Sequence, residues 1–176
     1  MSNVGKDFVK PILVLTLICL VISAALAFTN AKTAPLILQA EKEKAEAAQK
    51  EVLPEADSFT LMELEGLPAT VTAIYKANNG AGYVFMLTTK GYGGDIKLIC
   101  GIDKDGKITD TNTLAQSETK GLGTKITQPE FRAQFNGKDS SLEGVKTISG
   151  ATVSSKPYIN AIKDAFTAYE MAKGAA

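Results

Sequence analysis

The chain begins with a long apolar run and only later settles into alternation. Pro11 to Phe28, PILVLTLICLVISAALAF, carries no charge and has only Thr16 and Ser23 as polar side chains. At about 1.5 Å of rise per residue, a helix of this length covers about 27 Å, close to the hydrocarbon thickness of a bilayer. A transmembrane helix is therefore predicted over 11–29. A cleaved signal peptide is the competing reading, because Ala25-Leu26-Ala27 has the small-x-small form of a peptidase site; the uncharged run is longer than an ordinary signal core, which favours a retained anchor. Lys6 and Lys10 precede the run with Asp7 the one acidic residue between them, while Lys32, Lys42 and Lys44 follow it. The positive-inside rule puts residues 1–10 in the cytoplasm and the rest of the chain outside.

Residues 30–54 read as a helical spacer. Thr33-Ala34-Pro35 predicts a break, and Leu36 to Val52, rich in Ala, Glu, Lys and Gln, predicts a helix that Pro54 ends. Glu41 to Glu51 is polar apart from its alanines, as a solvated spacer would be; docking against a partner protein of the same assembly is the alternative. From Ala69 the pattern becomes alternating and β-branched. Strands are predicted at Thr70–Lys76, Tyr83–Thr88, Asp95–Cys100 and Ile108–Thr113, with turns at Asn78-Asn79-Gly80, Gly91-Tyr92-Gly93-Gly94 and Asp103–Lys107. The last turn begins like a calcium loop, but Leu114 stands where the bidentate Glu is needed, so a hairpin is expected. Gln116 to Lys125 reads as a long polar loop, Gln128 to Phe135 as a short helix and Val145 to Ile148 as strand-like. Tyr158, Ile162, Ala165, Phe166 and Tyr169 recur at helical spacing, which makes Lys156 to Lys173 an amphipathic helix covering a sheet. The sum is an α+β domain over 55–176: a mostly antiparallel sheet packed by a C-terminal helix.

Composition narrows the chemistry. Basic and acidic residues number 19 each, so no global field recruits nucleic acid. Histidine is absent from all 176 residues, which excludes Ser-His-Asp and Cys-His nucleophiles and His-bearing zinc sites. Cys19 and Cys100 are too few for an iron–sulfur cluster held by this chain alone, and the exported part keeps only Cys100. No catalytic residue and no metal site are expected. Whatever chemistry occurs is borrowed from a cofactor.

The segment best suited to hold one is Ser149-Gly150-Ala151-Thr152-Val153-Ser154-Ser155, where hydroxyls crowd against a helix start. Unpaired N–H groups and the helix dipole favour an anion there, and Gly150 and Ala151 keep the backbone bare. The plainer reading is that Ser154 or Ser155 simply caps the helix.

SGATVSS resembles the flavinylation motif of the FMN-binding domains found in the G subunit of Rnf electron-transport complexes and in the C subunit of the sodium-pumping NADH:quinone reductase. The resemblance implies FMN joined through its phosphate to the hydroxyl of Thr152, placed there by a flavin transferase that uses FAD. Ser149, Gly150 and Ala151 would shape the attachment turn. Glu118-Thr119-Lys120-Gly121-Leu122-Gly123 resembles the family's E-T-P-G-L-G loop beside the flavin, with Lys120 in place of Pro, and Gly91-Tyr92-Gly93-Gly94 resembles its G-Y-x-G segment. These motifs add Glu118, Thr119, Gly121, Leu122, Gly123 and Gly94 to the expected cofactor-binding residues, with Glu118 a candidate proton partner of the flavin. Many members carry an acidic residue where this chain has Lys146.

The function so implied is a membrane-anchored electron carrier without independent catalytic activity, in a complex that moves electrons between ferredoxin and NAD and translocates sodium ions or protons. Its partners would be membrane and iron–sulfur subunits, the transferase and membrane lipid. The short length resembles the Rnf member more than the quinone reductase member. Another extracytoplasmic FMN carrier, or an anchored scaffold without redox activity, remains open at this point.

Overall fold

A computed structural model describes the backbone of residues 4–175 and their side chains except those at 4–8, 35–36 and 38–42. Lys6, Asp7 and Lys42, which enter the orientation argument, lie outside the described side chains. The chain divides into a compact unit ending at Lys44 and another beginning at Ala45.

The first unit is the greater part of one helix, α1, Val4–Val52. Its stretch Val9–Ala34 has a mean hydropathy of 2.7, none of it buried in protein, and is long and apolar enough to cross a membrane. The expected break at Thr33-Ala34-Pro35 is absent: the backbone stays helical through it. Pro35 removes one N–H from the ladder. The Thr33 hydroxyl donates to the Thr29 carbonyl at 3.0 Å, and strong helix formers follow the proline.

In the second unit five strands form an antiparallel meander in the order β1-β2-β3-β4-β5. They are β1 Phe59–Met62, β2 Val71–Ala77, β3 Gly82–Lys90, β4 Asp95–Asp103 and β5 Ile108–Ala115. The four predicted strands are all present. The short β1 was not foreseen, because four residues flanked by acidic and polar positions carry little periodicity. It exists because it pairs with β2, Phe59 opposite Ala77. The Asp103–Lys107 turn is a hairpin, its Asp103 carboxylate accepting the Asp105 and Lys107 amides.

Period-two alternation gives the sheet two apolar faces. Ile96, Leu98, Cys100 and Ile102 of β4, with Phe85 and Leu87 of β3, meet Tyr158, Ile162, Ala165, Phe166 and Tyr169 of the C-terminal helix α3, Thr152–Gly174. On the other face Val84 and Ile99 meet Ala48, Val52, Leu53 and Ala56. This corrects the reading of Glu41 to Glu51 as wholly solvated. Ala48 and Val52 lie four residues apart on one helical face, so the end of α1 covers the sheet. Arg132, which ends the short helix α2 (Pro129–Arg132), bonds Glu51 at 3.1 Å and Asp110 at 2.9 Å.

Val145–Ile148 is not a strand. Its amides go to local partners instead: Val145 to the Leu142 carbonyl at 3.2 Å, Lys146 to Gln134 Oε1 at 3.0 Å and Ile148 to Ser155 Oγ at 3.0 Å. The predicted loop after Gln116 contains a 3-10 turn, Gly123–Thr127, whose Ile126 is fully buried. Cys100 is buried too. Burial, aided by Asp110, pushes its thiol far above the usual range, so it is no nucleophile.

Candidate functional site

The segment Ser149–Ser155 turns into α3 earlier than the apolar spacing indicates, at Thr152 rather than Lys156. Gly150 makes the turn with φ of 78°, a left-handed conformation that a side chain would strain. Ala151 is the N-cap residue, and no side chain caps the helix. The expectation that Ser154 or Ser155 serves as the cap is therefore wrong. Both lie inside the first turn and point inward, because each has a buried partner to satisfy. The Ser154 hydroxyl donates to Glu118 Oε2, and that of Ser155 donates to the Ala151 carbonyl at 2.9 Å. Thr152 and Val153, on the outer side of the same turn, are exposed.

Beside this turn lies a cavity of about 320 Å³ lined by Tyr92, Glu118, Thr119, Leu122, Gly123, Gly150, Ala151, Val153 and Ser154. That volume lies in the range of small-molecule sites. Its rim is unusual in its apolar character. Tyr92 is 74% exposed, Val153 60% and Leu122 47%. From Ala45 onward the only other exposed large apolar side chain among the described residues is Leu61, on β1. Single exposed apolar residues need no explanation, but three around one cavity point to an apolar ligand surface.

Three separate stretches of sequence build this wall: the β3–β4 turn, the loop after β5 and the start of α3. Of the expected cofactor-binding residues, Glu118, Thr119, Leu122, Gly123, Gly150 and Ala151 line the cavity. Thr152 adjoins it through Val153. Ser149, Gly121 and Gly94 are not among the lining residues. Tyr92, Val153 and Ser154 were not singled out as cofactor contacts, although all three fall within the quoted motifs. A large aromatic residue set between glycines, as at Tyr92, was the available signal.

Glu118, the candidate proton partner, lies in the cavity wall. Its Oε1 accepts the Gly93 amide at 2.9 Å, and its Oε2 accepts both the Tyr92 amide at 3.2 Å and the Ser154 hydroxyl. Both carboxylate oxygens thus accept hydrogen bonds. No group of three or more potential metal ligands occurs among the described residues.

The model of the FMN-binding domain family matches residues 91–167, a range that begins at the Gly91 turn and includes Thr152. The G subunit of the ion-translocating oxidoreductase complex of Methanosarcina acetivorans is 37% identical, over 92% of this chain and 94% of the relative. The chain belongs to the G-subunit family of ion-translocating oxidoreductase complexes. The G subunit of the proton-translocating ferredoxin:NAD(+) oxidoreductase complex of Clostridium ljungdahlii is 28% identical over 86% of this chain and 85% of its own. Its counterpart in the Na(+)-translocating ferredoxin:NAD(+) oxidoreductase complex of Acetobacterium woodii is 28% identical over 90% and 89%. Among solved structures, the C subunit of the Na(+)-translocating NADH-quinone reductase of Parabacteroides distasonis matches with a TM-score of 0.47 and 21% identity, covering 69% of this chain and 80% of that one. The family match begins just after β3, so it spans every motif that builds the cavity wall while omitting β1, β2 and β3.

Proposed function

We propose that this G-subunit family member is a single-pass membrane flavoprotein that relays electrons through FMN esterified to Thr152, within an ion-translocating oxidoreductase complex. The observation that carries the reading is the juxtaposition of an exposed Thr152 hydroxyl with a cavity rimmed by Tyr92, Leu122 and Val153. An alcohol is the group a phosphoester needs, and an apolar slot suits a flat heteroaromatic ring. The residues present fit FMN. Thr152 would hold the phosphate, Tyr92, Leu122 and Val153 would contact the ring system, and Thr119 would face the ribityl chain. When bound, the flavin supplies one- and two-electron transfer; the chain sets where that happens.

Attachment requires the Thr152 oxygen to form a bond to the FMN-side phosphorus of FAD. The pyrophosphate P–O bond breaks, AMP leaves, and the threonine proton passes to a base on the transferase. No electrons are exchanged in this step. The amides at the start of α3 would face the remaining phosphate charge and favour it.

The domain beyond the apolar helix would lie outside the cytoplasmic membrane, with residues 1–10 in the cytoplasm, a reading supported by Lys6 and Lys10 at the start of the span. Membrane and iron–sulfur subunits would be its electron partners.

Co-expression of the full chain with a flavin transferase, followed by a denaturing gel, tests the reading. Wild type is expected to fluoresce and to gain the mass of one FMN phosphoester, and Thr152→Ala is expected to do neither. A wild-type mass equal to that of the bare chain would point to an anchored scaffold instead.

A further inference from the structure

Glu118 is the only acidic or basic side chain that is buried among the described residues, at 7% exposure. Among those residues it has no cationic partner within salt-bridge distance; its donors are the Tyr92 and Gly93 amides and the Ser154 hydroxyl. A buried carboxylate is tolerated only when such donors converge on it. Here they come from two elements far apart in sequence, the β3–β4 turn and the first turn of α3. Close packing reinforces the arrangement. A Cβ at Gly123 would come within 2.6 Å of Glu118 Oε2 and 2.8 Å of Ser154 Oγ, and a Cβ at Gly91 would collide with Glu118 Oε1. The glycines of both motifs thus surround one carboxylate.

We propose that Glu118 is a positioning residue, a clasp that holds the Tyr92 turn and the Thr152 turn at a fixed separation so that the attachment hydroxyl and the cavity rim act as one site. The proposal rests on Thr152 being the flavin attachment residue. Glu118 itself need not touch the flavin: it acts through Ser154 on one side and through the 91–94 backbone on the other. Glu118→Gln keeps the shape but leaves one of the two backbone amides facing an NH₂ group, and Ser154→Ala removes only the hydroxyl donor.

The test uses the full chain in detergent, with FAD and a flavin transferase. Glu118→Gln and Ser154→Ala are each expected to lower the kcat of flavin transfer by about tenfold at unchanged KM, as loss of a hydrogen bond to a charged group would do. In the unlabelled chain, hydrogen exchange at the Tyr92 and Gly93 amides should quicken by about tenfold in Glu118→Gln, while the β3 and β4 core amides stay protected. Three results overturn the clasp. Wild-type kcat and exchange in both variants, with Thr152→Ala unlabelled, would remove it and leave the attachment site standing. Exchange rising across the whole sheet together with a lost melting transition would mark a fold-level role. An unlabelled wild type would remove clasp and attachment site together.

Discussion

The Ser155 hydroxyl accepts the Ile148 amide at 3.0 Å, across the turn that carries Thr152. The same oxygen donates to the Ala151 carbonyl at 2.9 Å, so one fully buried side chain closes the segment from inside. Ser155→Ala should cost about 1–3 kcal/mol, because it leaves the Ile148 amide without its partner. Urea unfolding of the full chain in detergent measures this. A change below about 0.5 kcal/mol would mean that water replaces the hydroxyl.

Two glycines in one loop should respond differently. Gly123 faces Glu118 and Ser154, whereas Gly121 has open space around its Cβ direction and only a φ of +79° to strain. Gly121→Ala should cost about 1–2 kcal/mol, the penalty of a left-handed alanine. Gly123→Ala should add a packing penalty of about 1–3 kcal/mol and slow flavin attachment. Melting temperatures of the two variants, measured side by side, decide whether the larger loss falls at position 123.

At Thr152, chemistry and shape separate cleanly. Thr152→Ser keeps an alcohol and should retain flavin at reduced yield. Thr152→Val keeps the shape and should lose labelling entirely, with stability changed by less than about 0.5 kcal/mol because the side chain is exposed. In-gel fluorescence and circular dichroism report the two properties independently. A grossly unfolded Thr152→Val protein would assign residue 152 a structural role.

The cavity rim should affect the ring rather than its attachment. Leu122→Ser with Val153→Ser is expected to leave Thr152 labelled while exposing the flavin to water. Quenching of flavin fluorescence by iodide should become stronger by about twofold or more, an effect of removing two apolar contacts. Unchanged quenching would place the ring elsewhere.

Alkaline pH should weaken the domain in a defined window. Burial raises the Tyr158 hydroxyl from 10.0 to about 12, and it shifts the Cys100 thiol upward as well. Both folded values lie above the unfolded ones, so at high pH the unfolded chain has released protons that the folded chain still holds. The contribution of Tyr158 is complete below pH 10 and is lost as pH climbs towards about 12. The Tyr158 hydroxyl lies beside those of Thr111 and Thr113, and none of the three finds hydrogen-bond geometry with a protein partner. Tyr158→Phe should therefore flatten the stability-against-pH curve in that window, as read by thermal unfolding. An unchanged slope would show that another group titrates there.

By itself the sequence determined the features that are local and repetitive. An uncharged run long enough to cross a bilayer, period-two strands separated by Gly- and Asn-rich turns, and a C-terminal helix with one apolar face are all readable because burial imposes its period on neighbouring residues. The absence of histidine pointed to a borrowed cofactor, and Thr152 stood out through the resemblance of SGATVSS to a flavinylation motif. Tertiary structure alone decided what joins distant segments. β1 exists only where β2 offers it a partner. Ala48 and Val52 look like spacer residues until the sheet covers them, and Val145–Ile148 looks like a strand until its amides find Gln134 and Ser155. The destination of Glu118 was equally hidden, since nothing local at position 118 announces that its oxygens will be claimed by Tyr92, Gly93 and Ser154. Hydrogen-bond partners far apart in the chain leave no periodic trace, and only the folded backbone brings them within reach.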